Sequence, residues 1–315
     1  MARRSDASLA SLLLTQRLVE ASVAPLKASE YWDLLEVVGD PGRLLGLAAD
    51  ETLRATGLAA DLSERVTRLL GAASTFAFAL DEAEQAGMHV LASVDDDYPG
   101  VLRDRLGRGA PPLLYTVGDV DLLTRAHLGV VGSRDVDDAA ALVAQGLGRA
   151  AVAAGWGVVS GAAKGVDRLA MTAALAADGV AVGVLADSLA RTTRDADVRR
   201  WVTDGRLCLC TPYKPTAGFS VANAMGRNKV IYALSRATLV VTSDVEKGGT
   251  WAGAVEALRQ RIAPVLVWAG DGQGPGNGPL IERGGQPVQE IDSVIDIATS
   301  TEPPRPGPAQ LQLGV

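Results

Sequence analysis

From residue 128 onward, short and continuously apolar runs alternate with helical patterns. This alternation constrains the fold more than any other feature of the chain. Segments 128–131, 156–159, 180–185, 207–210, 237–242 and 263–268 read as strands, and 136–154, 165–177, 195–203, 222–234 and 250–260 read as the helices between them. Strands that are apolar at every position have both faces covered. They predict a mostly parallel sheet with helices on both faces, an extended Rossmann-like α/β fold. Ligands of such sheets bind beyond the carboxyl ends of the strands.

Two shorter strands come earlier, at 89–93 and 113–117, with turns at Tyr98-Pro99 and Pro111-Pro112. Residues 6–87 read as helical. Asp6 can cap a helix with Leu9, Leu13 and Leu18 near helical spacing. Ser29 can cap a second with Trp32, Leu35 and Val38 on one face, which Asp40-Pro41-Gly42 ends. Helices at 62–70 and 73–86 follow. The expected division is a small all-helical (SAM/helix-hairpin-like) domain over 1–87, a Rossmann-like domain over 88–295 and a disordered tail over 296–315, Pro-rich from 301. A helical decoration packed on the main domain reads equally well for 1–87.

Charge argues against a simple electrostatic binder of nucleic acid, since the net formal charge is −7. The acidity is uneven, however. Residues 128–292 hold 17 Lys/Arg against 16 Asp/Glu, and the remainder holds 13 against 21. A local basic patch is compatible with that balance. Aromatic residues are only 4% of the chain, too few for many base-stacking platforms. Cys208 and Cys210 sit two apart in an apolar run, which puts both on one strand face as reduced core thiols. With two histidines and two cysteines, neither a metal centre nor a His-based triad is expected, and no cofactor is expected. No secretory signal or membrane-length apolar run is visible, so the expected location is cytoplasmic.

Four loops at strand ends could hold phosphate. Gly132-Ser133-Arg134 offers a tight turn, a hydroxyl, amides and a guanidinium fork. Ser160-Gly161-Ala162-Ala163-Lys164-Gly165-Val166-Asp167 offers small residues through which amides can approach an anion. Lys164 adds charge there, and Asp167 can steady a loop or accept from a ribose hydroxyl. Arg227-Asn228-Lys229 places two cations within the first turns of a helix, where the macrodipole disfavours them unless an anion is bound. Lys247-Gly248-Gly249-Thr250 opens another helix with exposed amides. Gly276-Asn277-Gly278-Pro279-Leu280-Ile281 reads as a turn into a short helix or as a plain loop.

The ordered set Asp97-Tyr98-Pro99, Pro111-Pro112-Leu113-Leu114-Tyr115, Val131-Gly132-Ser133-Arg134, Val159-Ser160-Gly161 through Asp167, Arg227-Asn228-Lys229 and Gly276-Asn277 with Leu280-Ile281 resembles the DprA/Smf DNA-processing family of the SLOG superfamily. Tyr31-Trp32-Asp33-Leu34-Leu35 fits the helical domain many members carry. The resemblance implies single-stranded DNA binding, frequent homodimers and loading of a RecA-type recombinase onto DNA taken up in natural transformation. It implies that Arg134, Lys164, Arg227 and Lys229 hold the DNA backbone, helped by amides at Gly132, Ser133, Gly161 and Gly165. Lys164 stands where the family usually has Arg, Met171 where it usually has His, and Lys247-Gly248-Gly249-Thr250 in place of a Ser-Gly-type turn. A divergent member without the C-terminal winged helix is the expectation.

Two rival functions remain at the sequence level. One is a SLOG-type nucleotide-sensing module using the same loops, which suits the net acidity. The other is a nucleoside-monophosphate phosphoribohydrolase, because Gly-Gly-Thr is similar to the motif of a lysine-decarboxylase-like branch. That motif has Glu three residues after Thr, where this chain has Gly253. Glu256 lies three further on, about 4.5 Å along the axis. No catalytic constellation is expected on that spacing.

Overall fold

The computed structural model describes residues 4–20 and 22–300, with the backbone alone at 53. Helices α1 Asp6–Thr15, α2 Ala28–Val38, α3 Ala49–Thr56, α4 Ala60–Leu70 and α5 Ala73–Gln85 come first. Then follow β1 Met88–Ala92, α6 Val101–Leu106, β2 Leu113–Gly118, β3 His127–Val131, α7 Asp138–Ala153, β4 Gly157–Ser160, α8 Val166–Ala176 and β5 Ala181–Val184. The chain continues through α9 Leu189–Thr192, α10 Ala196–Thr203, β6 Leu207–Thr211, α11 Val221–Leu234, β7 Ala237–Val240, α12 Gly248–Gln260, β8 Val265–Trp268, α13 Asn277–Glu282, β9 Gln286–Val288 and α14 Val294–Ser300.

The strands form one sheet in the order β1-β2-β6-β5-β4-β3-β7-β8-β9. From β6 to β9 every pairing is parallel. The interior strands β3, β4, β5, β7 and β8 are buried along their whole length, as their apolar runs require. Helices α7 and α8 pack on each other, and α11 packs on α12. The right-handed rule for parallel crossovers puts the two pairs on opposite faces of the sheet. The hairpin β1–β2 extends the β6 edge antiparallel, with Tyr115 opposite Thr211. Cys208 and Cys210 are buried free thiols on β6. Burial lifts the Cys210 thiol to about 12, so it stays protonated.

The N-terminal helices dock on this sheet through specific polar contacts. Trp32 Nε1 donates to the Ala110 carbonyl at 2.8 Å, and the Arg103 guanidinium lies 4.2 Å from the Trp32 ring centroid. The Tyr31 hydroxyl sits between Ser11 and Ser93 at 2.8 and 2.9 Å. The Arg17 amide donates to the Tyr115 hydroxyl at 2.7 Å. At the other end, residues 296–300, expected within the tail, are helical. Helix α14 runs to Ser300 because Val294 and Ala298 are buried. The expected disorder over 301–315 lies outside the described residues. Among those described, no helix is long and apolar enough to cross a membrane, and no group of His, Cys, Asp and Glu could hold a metal ion.

Candidate functional site

The chain winds outward from β3 to β6, crosses back and continues from β7 to β9. At that reversal the loops leaving β3 and β7 diverge, and a crevice opens at the carboxyl edge. Its volume is about 590 Å³. One wall is Gly132, Ser133 and Arg134; the facing wall is Lys247, Gly248, Gly249 and Thr250. Asp167, Arg227 and Tyr232 underlie it, and Phe219, Val221 and Met225 line its outer part.

Glycines let these loops close on one another. A Cβ on Gly132 would strike the Val166 side chain. Gly165, at φ +87°, leaves no room for one against the Ser133 and Arg134 carbonyls. Gly161 lies between the Arg227 guanidinium and the Asp167 carboxylate, where any side chain would part them. Two non-glycine residues take left-handed conformations in the flanking loops, Ala162 and Glu246, both at φ +53°. The Thr250 hydroxyl donates to the Gly132 carbonyl at 2.9 Å and fastens the two walls together.

Several groups expected to face phosphate are committed to the fold instead. The Ser133 amide donates to the Thr242 carbonyl at 3.1 Å. The Gly161 amide donates to Asp167 Oδ2 at 3.1 Å, and the Ser160 hydroxyl to the Val130 carbonyl at 2.6 Å. Lys164 is 78% exposed on the rim, 3.5 Å from the still more exposed Asp135, and does not line the crevice.

The Arg227-Asn228-Lys229 triplet is split between three tasks. Helix α11 begins at Val221, with the Ser220 hydroxyl accepting from the Asn223 amide. Arg227 is therefore beyond the first turn, and the macrodipole argument no longer reaches it. It is 6% exposed and donates to the Val184 carbonyl at 2.8 Å, with no partner for Nε among the described residues. Burial lowers its pKa and raises that of Asp167, and each charge partly offsets the shift of the other. Asn228 donates to the Gly249 carbonyl at 2.9 Å, tying α11 to α12. Lys229 points away from the crevice and pairs with Glu256 at 3.0 Å.

The start of α12 is what remains open to an anion. Its N-cap, Lys247, makes no side-chain capping bond, and the first turn carries no acidic residue. Its first amides have no intrahelical acceptor and face the crevice with the positive end of the dipole. Arg134 stands opposite, its guanidinium 5.1 Å from the Phe219 ring centroid. Gly253 packs so closely on Asn228 that a Cβ would lie 2.8 Å from Nδ2, so a glutamate there would displace that side chain. Sequence reasoning gave Phe219 and Val221 no role, because a lone aromatic in a loop has no periodicity to mark it. Asn277 is also more than a turn residue. Its side chain accepts from the Ser243 amide at 3.0 Å and donates to the Val241 and Trp268 carbonyls at 2.9 and 2.8 Å, holding the end of β7 in place.

Fold and crevice together define an extended Rossmann-like protein with a polar cleft at its switch point. The family model described as DNA recombination-mediator protein A matches residues 89–299, and the chain belongs to that family. DNA processing protein DprA of Bacillus subtilis is 24% identical over 218 residues, 67% of this chain and 72% of the relative. DprA of Streptococcus pneumoniae is 31% identical over 211 residues, 64% and 71% of the two chains. The X-ray structure of the Streptococcus pneumoniae protein covers 93% of this chain and 98% of its own at TM-score 0.67 and 23% identity. A structure concerned with the single-stranded DNA binding mode of DNA processing protein A from Helicobacter pylori covers 67% and 95% at TM-score 0.55 and 23% identity. These two matches establish the likeness of fold.

Proposed function

We propose that this chain is a cytoplasmic DNA-processing protein that binds single-stranded DNA in the crevice between the β3 and β7 loops. The observation that carries the reading is the uncapped start of α12 facing Arg134 across the cleft. Backbone phosphate would rest on the amides at Gly248, Gly249 and Thr250, between Lys247 and Arg134, with Lys164 at the rim. Arg227 and Asp167 would shape the floor rather than touch the strand.

Titration of labelled oligo-dT at two salt concentrations tests this. Two phosphate-contacting cations give a log–log salt slope of roughly −1.4 for a single strand. Absence of binding at low salt overturns the reading. Formal charges around the crevice balance, with Arg134, Arg227 and Lys247 against Asp167, Asp244 and Glu246. That balance favours a nucleotide ligand as the second reading, and displacement of oligo-dT by a nucleoside monophosphate would support it. Loading of a RecA-type recombinase in natural transformation, by a homodimer, is the wider role that family membership suggests. Recombinase assembly on oligo-dT with and without the chain checks it.

A further inference from the structure

Of the six large apolar side chains exposed among the described residues, two sit at this cleft. Phe219 and Val221 line it. Phe219 is 52% exposed and Val221 73%. Val37, Phe78 and Leu142 are exposed singly on three different helices, α2, α5 and α7, whereas Phe219 and Val221 sit together beside a polar cleft, where an exposed apolar pair can meet a ligand. Charge alone makes a weak grip there, because the cations are matched by acids and Arg227 is committed to the floor. A single strand offers a second handle, the faces of its bases.

We infer that Phe219 is the base-stacking residue of the site, resting on the proposal that the cleft holds single-stranded DNA. The Arg134 guanidinium covers part of the ring from within the cleft. The rest of the ring is open to solvent, and Val221 extends the apolar surface beside it. A phosphate at the start of α12 and a base on Phe219 would engage one nucleotide unit, a size the cleft of about 590 Å³ accommodates. Stacking is indifferent to base identity, so the strand is held without sequence readout. Arg134 serves both parts, facing phosphate while its flat side rests on the ring.

The test compares oligo-dT with an abasic oligomer of the same length, in the full chain and in Phe219→Ala and Phe219→Trp. Phe219 is exposed, so both variants should keep the parent melting temperature. Phe219→Ala should weaken oligo-dT binding roughly 5- to 150-fold and leave the salt slope unchanged. It should leave abasic binding unchanged, and Phe219→Trp should bind oligo-dT at least as tightly as the parent. Equal weakening on both oligomers would mean that the ring only positions Arg134, and would overturn the inference. So would an unaltered affinity for oligo-dT. Failure of the parent to bind either oligomer removes the underlying reading instead, so the two failures are distinguishable.

Discussion

Arg227 shows how a residue chosen for its charge can serve the fold. Its guanidinium and the Asp167 carboxylate flank Gly161, both almost fully buried, at 6% and 7% exposure. Arg227→Ala would leave Asp167 buried without its compensating charge. The expected loss is about 3 kcal/mol in urea denaturation, against the roughly 0–1 kcal/mol of an exposed charge. Lys229→Ala should leave the salt slope of DNA binding unchanged, since Lys229 lies outside the cleft on Glu256. A stable Arg227→Ala with a flattened slope would restore the sequence expectation. The residue types of the site were legible because Gly, Lys, Arg and Thr at strand ends have few other uses. Their assignment was not, because which amide faces a ligand depends on contacts from distant loops. Thr242 takes the Ser133 amide and Asp167 takes that of Gly161.

Among the elements, α12 carries the functional proposal, and its start can be changed without disturbing its packing. A Cβ on Gly249 meets nothing nearer than Asn228 Nδ2 at 3.7 Å, an ordinary contact, and Gly249 does not share the positive φ of Gly248. An aspartate there places a carboxylate at the positive end of the helix dipole. Gly249→Asp should stabilise the chain by about 0.3–1 kcal/mol and weaken oligo-dT binding at least tenfold, by taking the place of phosphate. Opposite signs in melting temperature and affinity are the signature. Unaltered affinity would remove α12 from the interface. The alternating elements were readable because a buried parallel strand has a composition of its own, and β3 to β8 fall within a few residues of expectation. The antiparallel attachment of β1–β2 to β6 was not, because pairing partners leave no trace in one strand's pattern. Strand β9 escaped notice because it is three residues long, with Gln286 and Pro287 exposed.

At the scale of the whole molecule, sheet stability depends on keeping a histidine neutral. His127 opens β3, the strand beside the switch point, and is fully buried. Neither ring nitrogen has a hydrogen-bond partner of good geometry among the described residues. Burial drives its pKa from 6.5 to about 4, with the nearby Arg125 backbone offsetting only part of the shift. Above pH 6.5 the imidazole is neutral in both folded and unfolded chains, and its contribution is fully present. As pH falls from 6.5 towards 4, the unfolded chain takes up a proton that the folded chain refuses, so stability falls. The total loss is about 3 kcal/mol once pH reaches the folded value. Urea denaturation at pH 7.5, 5.5 and 4.5 should therefore show a decline that His127→Leu lacks, whatever that variant's stability at pH 7.5. Because β3 pairs with both β4 and β7, the decline should appear as one cooperative transition in which the cleft is lost together with the sheet. Equal pH dependence in the two proteins would show that carboxylates elsewhere, and not this imidazole, set the acid limit.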